Sequence, residues 1–481
     1  MINPEEILQI LPLIIIGTGI LVSLVLEMYL PTGQAGSKQS EKVLPWFSII
    51  MFLSAGIYSL LSIGDAKTAF NNMISVGGNT HIFYFIFSAG AALVSLLSID
   101  YIKKYGINHG EYYILIQSSV LGMMLMAGAK DLLVIFLGLE LMSVCFYVLA
   151  GLNRKKISAN EASLKYFLLG AFATGFIVYG IALIYGSAQT TSLEIITSKF
   201  GDLTHNLLFI VGVLLFLVGF SFKIAAFPFH MWVPDVYQGS PTTIAGLFST
   251  GGKAAAFSSI IIVLLAIFTN SEQNVFAPYL SVVATLSMLF GSIVAIAQED
   301  IKRMLAYSSI AHAGYLTIGL AAGNQDGVAG IIFYLAAYTF MNLGAFGIIA
   351  MIEGEEESNL TISSYAGLSS RKPLLAALLA LFMFSLAGIP PFAGFFGKYY
   401  IFIAAIKSDL TWLAIVGVFS SAISVYFYLR IVVLMYFKES STELTLFETK
   451  TGLLAVMLAS LIVILLGIFP GSILQLITSF I

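Results

Sequence analysis

Long apolar runs, separated by clusters of Gly, Pro and charged residues, fill the sequence from residue 7 almost to its end. A helix needs about 20 apolar residues to cross the hydrocarbon core of a bilayer. That ruler divides the chain into fourteen predicted spans: 7–30, 43–63, 80–99, 112–129, 131–151, 159–186, 206–231, 241–268, 278–297, 303–322, 327–352, 373–406, 410–437 and 451–480. The pattern predicts an all-α integral membrane fold with about 14 transmembrane helices. Pro4, Glu5 and Glu6 precede the first run, where a cleaved signal peptide would carry basic residues, so the first segment is expected to stay as a helix.

Composition sharpens this reading. Hydrophobic residues make up 59% of the chain and charged ones 10%, with a mean hydropathy of +0.97, whereas soluble domains carry about 25% charged residues. A net charge of -3 offers no basic excess for nucleic acid, and the lone Cys145 supports neither a disulfide framework nor a thiolate-held cluster. Lys and Arg are unevenly placed. Lys38, Lys42, Lys103, Lys104, Arg154, Lys155, Lys156, Lys302, Arg303, Arg371, Lys372, Lys438 and Lys450 fall in the loops after odd-numbered spans, against Lys67, Lys130, Lys199 and Lys407 on the other side. The positive-inside rule then puts the first set in the cytoplasm and both termini on the non-cytoplasmic side. The acidic run Glu353–Glu357 reads as a solvated loop.

Five basic residues remain within predicted spans: Lys165, Lys223, Lys253, Lys398 and Arg430, joined by Glu140 in the middle of span 5. A charge at the bilayer centre costs from about 3 to over 10 kcal/mol, so such residues need partners, water or a function. Arg430 and Lys165 lie near span ends, where a long side chain reaches the headgroups. Lys223, Lys253 and Lys398 are too deep for that, and an ammonium in low dielectric holds its proton less tightly, which makes them candidate proton carriers. A carboxylate such as Glu140, moving towards or away from a lysine, would load or unload it. His230 and His312 sit in spans beside other polar residues, whereas His81 begins a span and His109 and His205 look peripheral. A single buried imidazole is usually a packing residue, and no close pair has metal-ligand spacing, so neither metal nor haem is expected.

Span 7 contains Pro228 five residues after Lys223, and span 12 contains Gly388, Pro390, Pro391 and Gly394 just before Lys398. Gly/Pro-interrupted spans in the two halves of a transporter mark ion sites at discontinuous helices, although a packing kink has the same sequence signature. Spacing suggests a repeat: Glu140 to Lys223 is 83 residues and His312 to Lys398 is 86, while Lys223 to Lys253 is 30 and Lys398 to Arg430 is 32. Two five-helix units, 112–268 and 278–437, flanked by 1–111 and 451–481, account for this. Five being odd, the two units enter the membrane from opposite sides as inverted repeats. The stretch from Gly246 to Ala254 has one residue too many for a phosphate loop and lacks its Ser or Thr, and no dinucleotide fingerprint is present, so no nucleotide is expected to bind.

These residues carry a family resemblance. FKIAAFPFHMWVPDVYQGSPT, starting at Phe222, resembles the signature around spans 7 and 8 of the antiporter-like membrane subunits of proton-pumping NADH-quinone oxidoreductase, respiratory complex I. EASLKYFLLGAF from Glu161, QEDIKRMLAYSSIAHAGY from Gln298, SSYAGLSSRKPLLA from Ser363 and SLAGIPPFAGFFGKYY from Ser385 resemble subunit N more than its larger paralogues, and the matches extend from span 5 to span 12. The resemblance implies fourteen helices, a span 5 glutamate paired with a span 7 lysine, and further lysines in spans 8 and 12 along a hydrophilic mid-membrane axis. Glu140, Lys223, Lys253 and Lys398 occupy those positions, with Lys165 matching a span 6 lysine and His230 a histidine after the span 7 lysine. Gln238, Ser240 and Thr243 vary a loop where Glu, Ala and Pro are common in relatives.

The resemblance further implies proton translocation in a bacterial cell inner membrane, with other membrane-arm subunits as partners. NADH, FMN, iron-sulfur clusters and quinone such as ubiquinone are then expected on partner subunits, and no cofactor on this chain. A subunit of a multi-subunit sodium/proton antiporter shares these features, and a non-conducting structural subunit is a third reading, one that has no need of buried lysines.

Overall fold

A computed structural model describes residues 4–29, 40–64, 66–203, 205–268, 275–354, 359–439 and 447–481. Lys38 and Glu355–Glu357 lie outside the described residues. The chain folds as a bundle of helices, ten of which, among the described residues, are long and apolar enough to cross a membrane. Gly78–Lys104, Thr242–Leu265 and Gln325–Ile352 form its centre, with 89%, 94% and 94% of their apolar windows buried. At the rim, only 33% of Ile157–Ala188 is buried, and Leu164, Phe172 and Tyr179 face outward as a lipid-facing surface requires. Neighbouring helices approach closely through small residues. A Cβ on Gly122 would lie 2.6 Å from the Gly138 carbonyl oxygen, and one on Gly138 would lie 2.7 Å from that of Gly122, so Glu111–Gly128 and Leu132–Ala150 pack backbone to backbone.

Several predicted spans are interrupted. Leu207–Lys223 stops at the lysine itself, five residues before Pro228, and the chain resumes as Val233–Gly239. Ala225 in this gap has a φ of 64°, a left-handed conformation costly for a residue with a Cβ. The backbone groups released by the break are re-satisfied locally: the Trp232 indole donates to Phe222 O (3.1 Å), and Phe227 N donates to Ser287 Oγ (2.9 Å). The single predicted span 373–406 is two helices, Pro373–Ala387 and Ala393–Lys407, separated by a turn in which Gly388 supplies a φ of 86°. Span 8 carries a feature absent from the sequence reading, a π-turn over Phe248–Gly252 immediately before Lys253. Span 14 also divides, because Pro470 starts a separate helix, Pro470–Thr478, after Lys450–Ile468. A two-stranded antiparallel hairpin, Lys67–Ala69 with Ile74–Val76, is the one departure from all-α structure among the described residues.

Both faces are fastened by long-range ties between loops and helix ends, backbone bonds and ion pairs occurring on each. On the hairpin side, backbone bonds join distant loops: Lys130 N to Met73 O (2.8 Å), Leu132 N to Thr191 O (3.0 Å) and Leu193 N to Lys130 O (3.0 Å). Asp131 caps Leu132–Ala150 through Leu133 N (2.8 Å) and accepts from Thr191 Oγ1 (2.7 Å). On the Lys-rich side, backbone bonds from Ile301 N to Leu360 O (2.9 Å) and from Ile362 N to Glu299 O (2.7 Å) are joined by ion pairs. Asp235 takes Lys165 Nζ on Oδ2 (2.7 Å) and Arg303 Nη1 on Oδ1 (2.8 Å), joining three segments. Lys302, read from sequence as a cytoplasmic loop residue, and Glu353, read as part of a solvated loop, are buried there, the first donating to Ser240 O (2.8 Å). Their polar atoms find neutral partners nearby, Ser240 O for Lys302 and the Thr242 and Tyr101 hydroxyls for Glu353, which an isolated loop sequence does not reveal.

Two measurements test this packing. Gly122→Ala is expected to destabilise the purified protein by about 1–3 kcal/mol, seen as a lower unfolding midpoint, because the facing backbone cannot yield. Partial burial opposes charge on Asp235, but the hydrogen bonds from Lys165 and Arg303 win and hold its carboxyl below the usual carboxylate range. A depressed value contributes stability above the unfolded pKa and loses it as pH falls through the folded one. Asp235→Asn is therefore expected to lower the midpoint at pH 7, by no more than about 1 kcal/mol per half-exposed pair. The gap to wild type should close as pH falls below about 4.

Candidate functional site

Glu140, Ser143 and Tyr147 share one face of Leu132–Ala150, at the i, i+3, i+7 spacing of a helix. Lys223, at the broken end of Leu207–Lys223, reaches this face, donating to Ser143 Oγ (2.8 Å) and Tyr147 OH (3.2 Å) with its Nζ 5.6 Å from the Tyr147 ring centre. Glu140 itself, half-buried, accepts from Thr174 Oγ1 of Ile157–Ala188 (2.8 Å). The predicted carboxylate and lysine thus occupy one helix face without forming a direct ion pair. Both are held by hydroxyls.

Lys253 follows the π-turn and is buried against Ile301–Ala322, where it donates to Ser309 O and to Ser309 Oγ (2.6 Å) and stands 5.4 Å from the Tyr338 ring centre. The adjacent Ser308 bonds Tyr428 OH, which in turn bonds His312 Nε2 (2.9 Å), while Tyr334 OH meets His312 Nδ1 (2.6 Å). Both imidazole nitrogens of the buried His312 are therefore engaged, and its ring centre stands 5.7 Å from that of Tyr315, over which Lys398 Nζ lies at 4.8 Å. Between Lys223 and Lys253 the connection is aromatic instead. Tyr147 packs on Tyr166, and Tyr166 on Trp232 and on Phe248 of the π-turn, with centroids 4.9, 4.3 and 5.6 Å apart.

Lys398 turns back towards the interruption in its own span. It donates to Ala387 O (3.0 Å) and Leu386 O (3.3 Å), the last carbonyls of Pro373–Ala387, and to Ser421 Oγ (2.8 Å). Those carbonyls are the negative end of a helix dipole and have no helical partner, so the break creates the ammonium's binding site. Gly388 leaves room for it, since a Cβ there would lie 3.1 Å from Lys398 Nζ. Arg430 similarly meets carbonyls, donating to Ile296 O (3.3 Å) and Gln298 O (3.4 Å).

The remaining candidates lie elsewhere. Lys165 is a half-exposed member of the Asp235 cluster, paired also with Glu161 (2.6 Å), and is not in the buried series. His230 is buried in the span 7 gap between Phe227 and Phe290, with centroids 5.3 and 4.6 Å away, and its Nδ1 has no protein partner. Ser143, Tyr147, Ser309, Tyr334, Tyr428 and Ser421, which solvate the deep lysines and His312, escaped the sequence reading. The one available signal was the unusual density of Ser and Tyr within apolar runs.

The chain is similar to known proteins over nearly its whole length. The pattern of the family described as NADH:quinone oxidoreductase/Mrp antiporter, TM, matches residues 129–424. NADH-quinone oxidoreductase subunit N of Trichlorobacter lovleyi is 44% identical over 98% of this chain and 95% of its own length. Subunit N 1 of Chloroherpeton thalassium is 44% identical over 98% and 97%. A chain of respiratory complex I from Thermus thermophilus superposes with a TM-score of 0.82 at 31% identity, over 96% of this chain and 98% of that one. A chain of the Mrp complex from a Dietzia species has a TM-score of 0.86 over 99% and 96%, at an identity of 19% that speaks to fold alone. With such identity over nearly its whole length, the chain belongs to the NADH-quinone oxidoreductase subunit N family of antiporter-like membrane subunits.

Proposed function

We propose that this chain is a proton-translocating membrane-arm subunit of NADH-quinone oxidoreductase. The observation that carries the reading is the environment of Lys223, Lys253 and Lys398: each is buried and rests on hydroxyls, carbonyls and tyrosine faces, with no carboxylate among its hydrogen-bond or ion-pair partners. Neutral partners stabilise an ammonium without locking it as a permanent ion pair. The proton can leave, and the amine left behind still has hydroxyls to bond.

Glu140 provides the bias. It shares a helix face with Ser143 and Tyr147, the partners of Lys223, and a shift from Thr174 towards Lys223 would favour the protonated amine, a shift back its release. Protons pass from Lys223 to Lys253, then through Ser309, Ser308, Tyr428 and His312 towards Lys398. The aromatic segment Tyr147–Tyr166–Phe248 separates Lys223 from Lys253 within the first of these transfers, so the two lysines need not discharge together. Lys165 and His230 serve at the margins of this axis, one in the Asp235 cluster and the other in the span 7 gap. Fourteen spans, in which 112–268 and 278–437 are inverted five-helix repeats with discontinuous spans 7 and 12, give each repeat half of the path. The Lys-rich face is cytoplasmic, both termini are outside, and the location is a bacterial inner membrane. NADH, FMN, iron-sulfur clusters and quinone belong to partner subunits, and redox energy reaches this chain through the membrane arm.

In the assembled complex, Glu140→Ala and Lys223→Ala are each expected to lower NADH-driven proton pumping by more than about tenfold, the loss that removal of a proton-transfer group brings. Pumping retained in both would sink the residue assignment. Mild-detergent purification of the native assembly tests the rest: NADH-quinone reductase activity with flavin and iron-sulfur partners supports the reading, whereas an all-membrane assembly without NADH oxidation supports a sodium/proton antiporter.

A further inference from the structure

A second polar system lies outside the lysine-histidine series, on the Lys-rich face. Glu353, at the end of Gln325–Ile352, is 1% exposed, yet it lines a cavity of about 450 Å³ with Tyr101, Tyr105, Asn153, Lys155 and Lys156. Its Oε2 accepts from Thr242 Oγ1 (2.6 Å) and Tyr101 OH (3.1 Å), and neither bond falls on Oε1. Tyr101 OH also receives Thr242 N (3.0 Å), so the carboxylate is fixed at the start of the segment that leads through the π-turn to Lys253. The neighbouring Thr243 continues inward: its Oγ1 bonds Tyr112 OH (3.0 Å), which bonds Ser98 Oγ (2.6 Å) on the central helix Gly78–Lys104. One turn deeper on the same face, Ser95 has a buried hydroxyl without a protein partner.

A carboxylate that only fastened helices would gain most from a direct ammonium partner, yet Lys104 Nζ bonds the Glu353 carbonyl (2.6 Å) and the buried Lys302 bonds Ser240 O. Among the described residues, the charged and titratable groups around Glu353 are Tyr101 and Lys104 of Gly78–Lys104 and Tyr105 just after it, Lys155 and Lys156 before Ile157–Ala188, Asp300 and Lys302 at the start of Ile301–Ala322, and Tyr365. Burial and the Lys302 ammonium pull Lys156 down to about 8, against Glu353 and Asp300.

We propose that Glu353 is the proton-uptake group of this chain on its Lys-rich face, collecting protons from the cavity and handing them to the Thr242–Thr243–Tyr112–Ser98 hydroxyls. Only O–H bonds are made and broken, and water in the cavity is the donor. The proposal rests on the proton-translocating reading above.

The test uses the intact complex in vesicles with the Lys-rich face outward, measuring NADH-driven pumping against outside pH, with Lys253→Met as the control for the reading itself. A collecting group matters most where protons are scarce. Glu353→Gln is expected to slow pumping by about tenfold near pH 8.5 and little near pH 6.5, moving the alkaline limb about one pH unit down. Glu353→Asp should fall between this variant and wild type. Lys104→Met, which loosens the same segment without removing the carboxylate, should leave the limb in place. A wild-type limb in Glu353→Gln, in a complex where Lys253→Met abolishes pumping, overturns the proposal and spares the reading. Equal displacement of the limb in Lys104→Met overturns it in favour of a structural role. If Glu353→Gln does not assemble, an unshifted limb in Glu353→Asp overturns it. Wild-type pumping in Lys253→Met removes the reading on which the proposal stands.

Discussion

Inside hydrocarbon every polar group must find its partner within the protein, and three deep ammonium groups make that the governing constraint on this fold. Hydroxyls and uncommitted carbonyls are the partners that hold a lysine without permanently pairing it. Regular helix has no spare carbonyls to give. Interruption makes them: the break after Ala387 frees the carbonyls that bind Lys398, and the break after Lys223 lets that side chain extend towards Ser143 and Tyr147. The irregular backbone is itself kept solvent-like by side chains, with Trp232 and Ser287 supplying the hydrogen bonds that lost turns no longer provide.

The same constraint explains where stiffness lies. Around the central helices, small residues bring backbones into contact, and the Gly122–Gly138 approach leaves no space for even a methyl group. Held this tightly, the helix carrying Glu140 keeps its register against its neighbour, so that Glu140, Ser143 and Tyr147 present a fixed row to Lys223. The softer contacts, half-exposed ion pairs such as those around Asp235, lie among the loops and helix ends.

Much of this was legible in the sequence, because hydrophobic runs of span length and charges stranded within them are local signals. The deep lysines, Glu140, His312 and the two Pro/Gly interruptions were all visible that way. Partners were not, since Ser309 meets Lys253 across 56 residues of chain and Ser143 meets Lys223 across 80. Glu353 illustrates the limit. An acidic run after a span reads as solvated loop, and only the packing of Tyr101 and Thr242 around its first member reveals a buried carboxylate. The π-turn before Lys253 was equally hidden, because Gly251 and Gly252 inside an apolar run are also compatible with unbroken helix.

The bonds around Asp131 give the Glu140 helix a fulcrum. Its first residues are pinned to Thr191 by backbone and side chain, whereas its far end stops at Ala150 beside the Lys-rich loops. Nine residues from the pinned end, Glu140 sits about 13 Å along the lever at 1.5 Å per residue. A tilt of about 5° there would sweep the carboxylate sideways by about 1 Å, but the backbone contact of Gly138 with Gly122, two residues before Glu140, holds the lever still. Glu140 is therefore carried on a rod clamped both at its base and beside the residue itself, so its reach away from Thr174 depends on rotation of its own side chain rather than on movement of the helix.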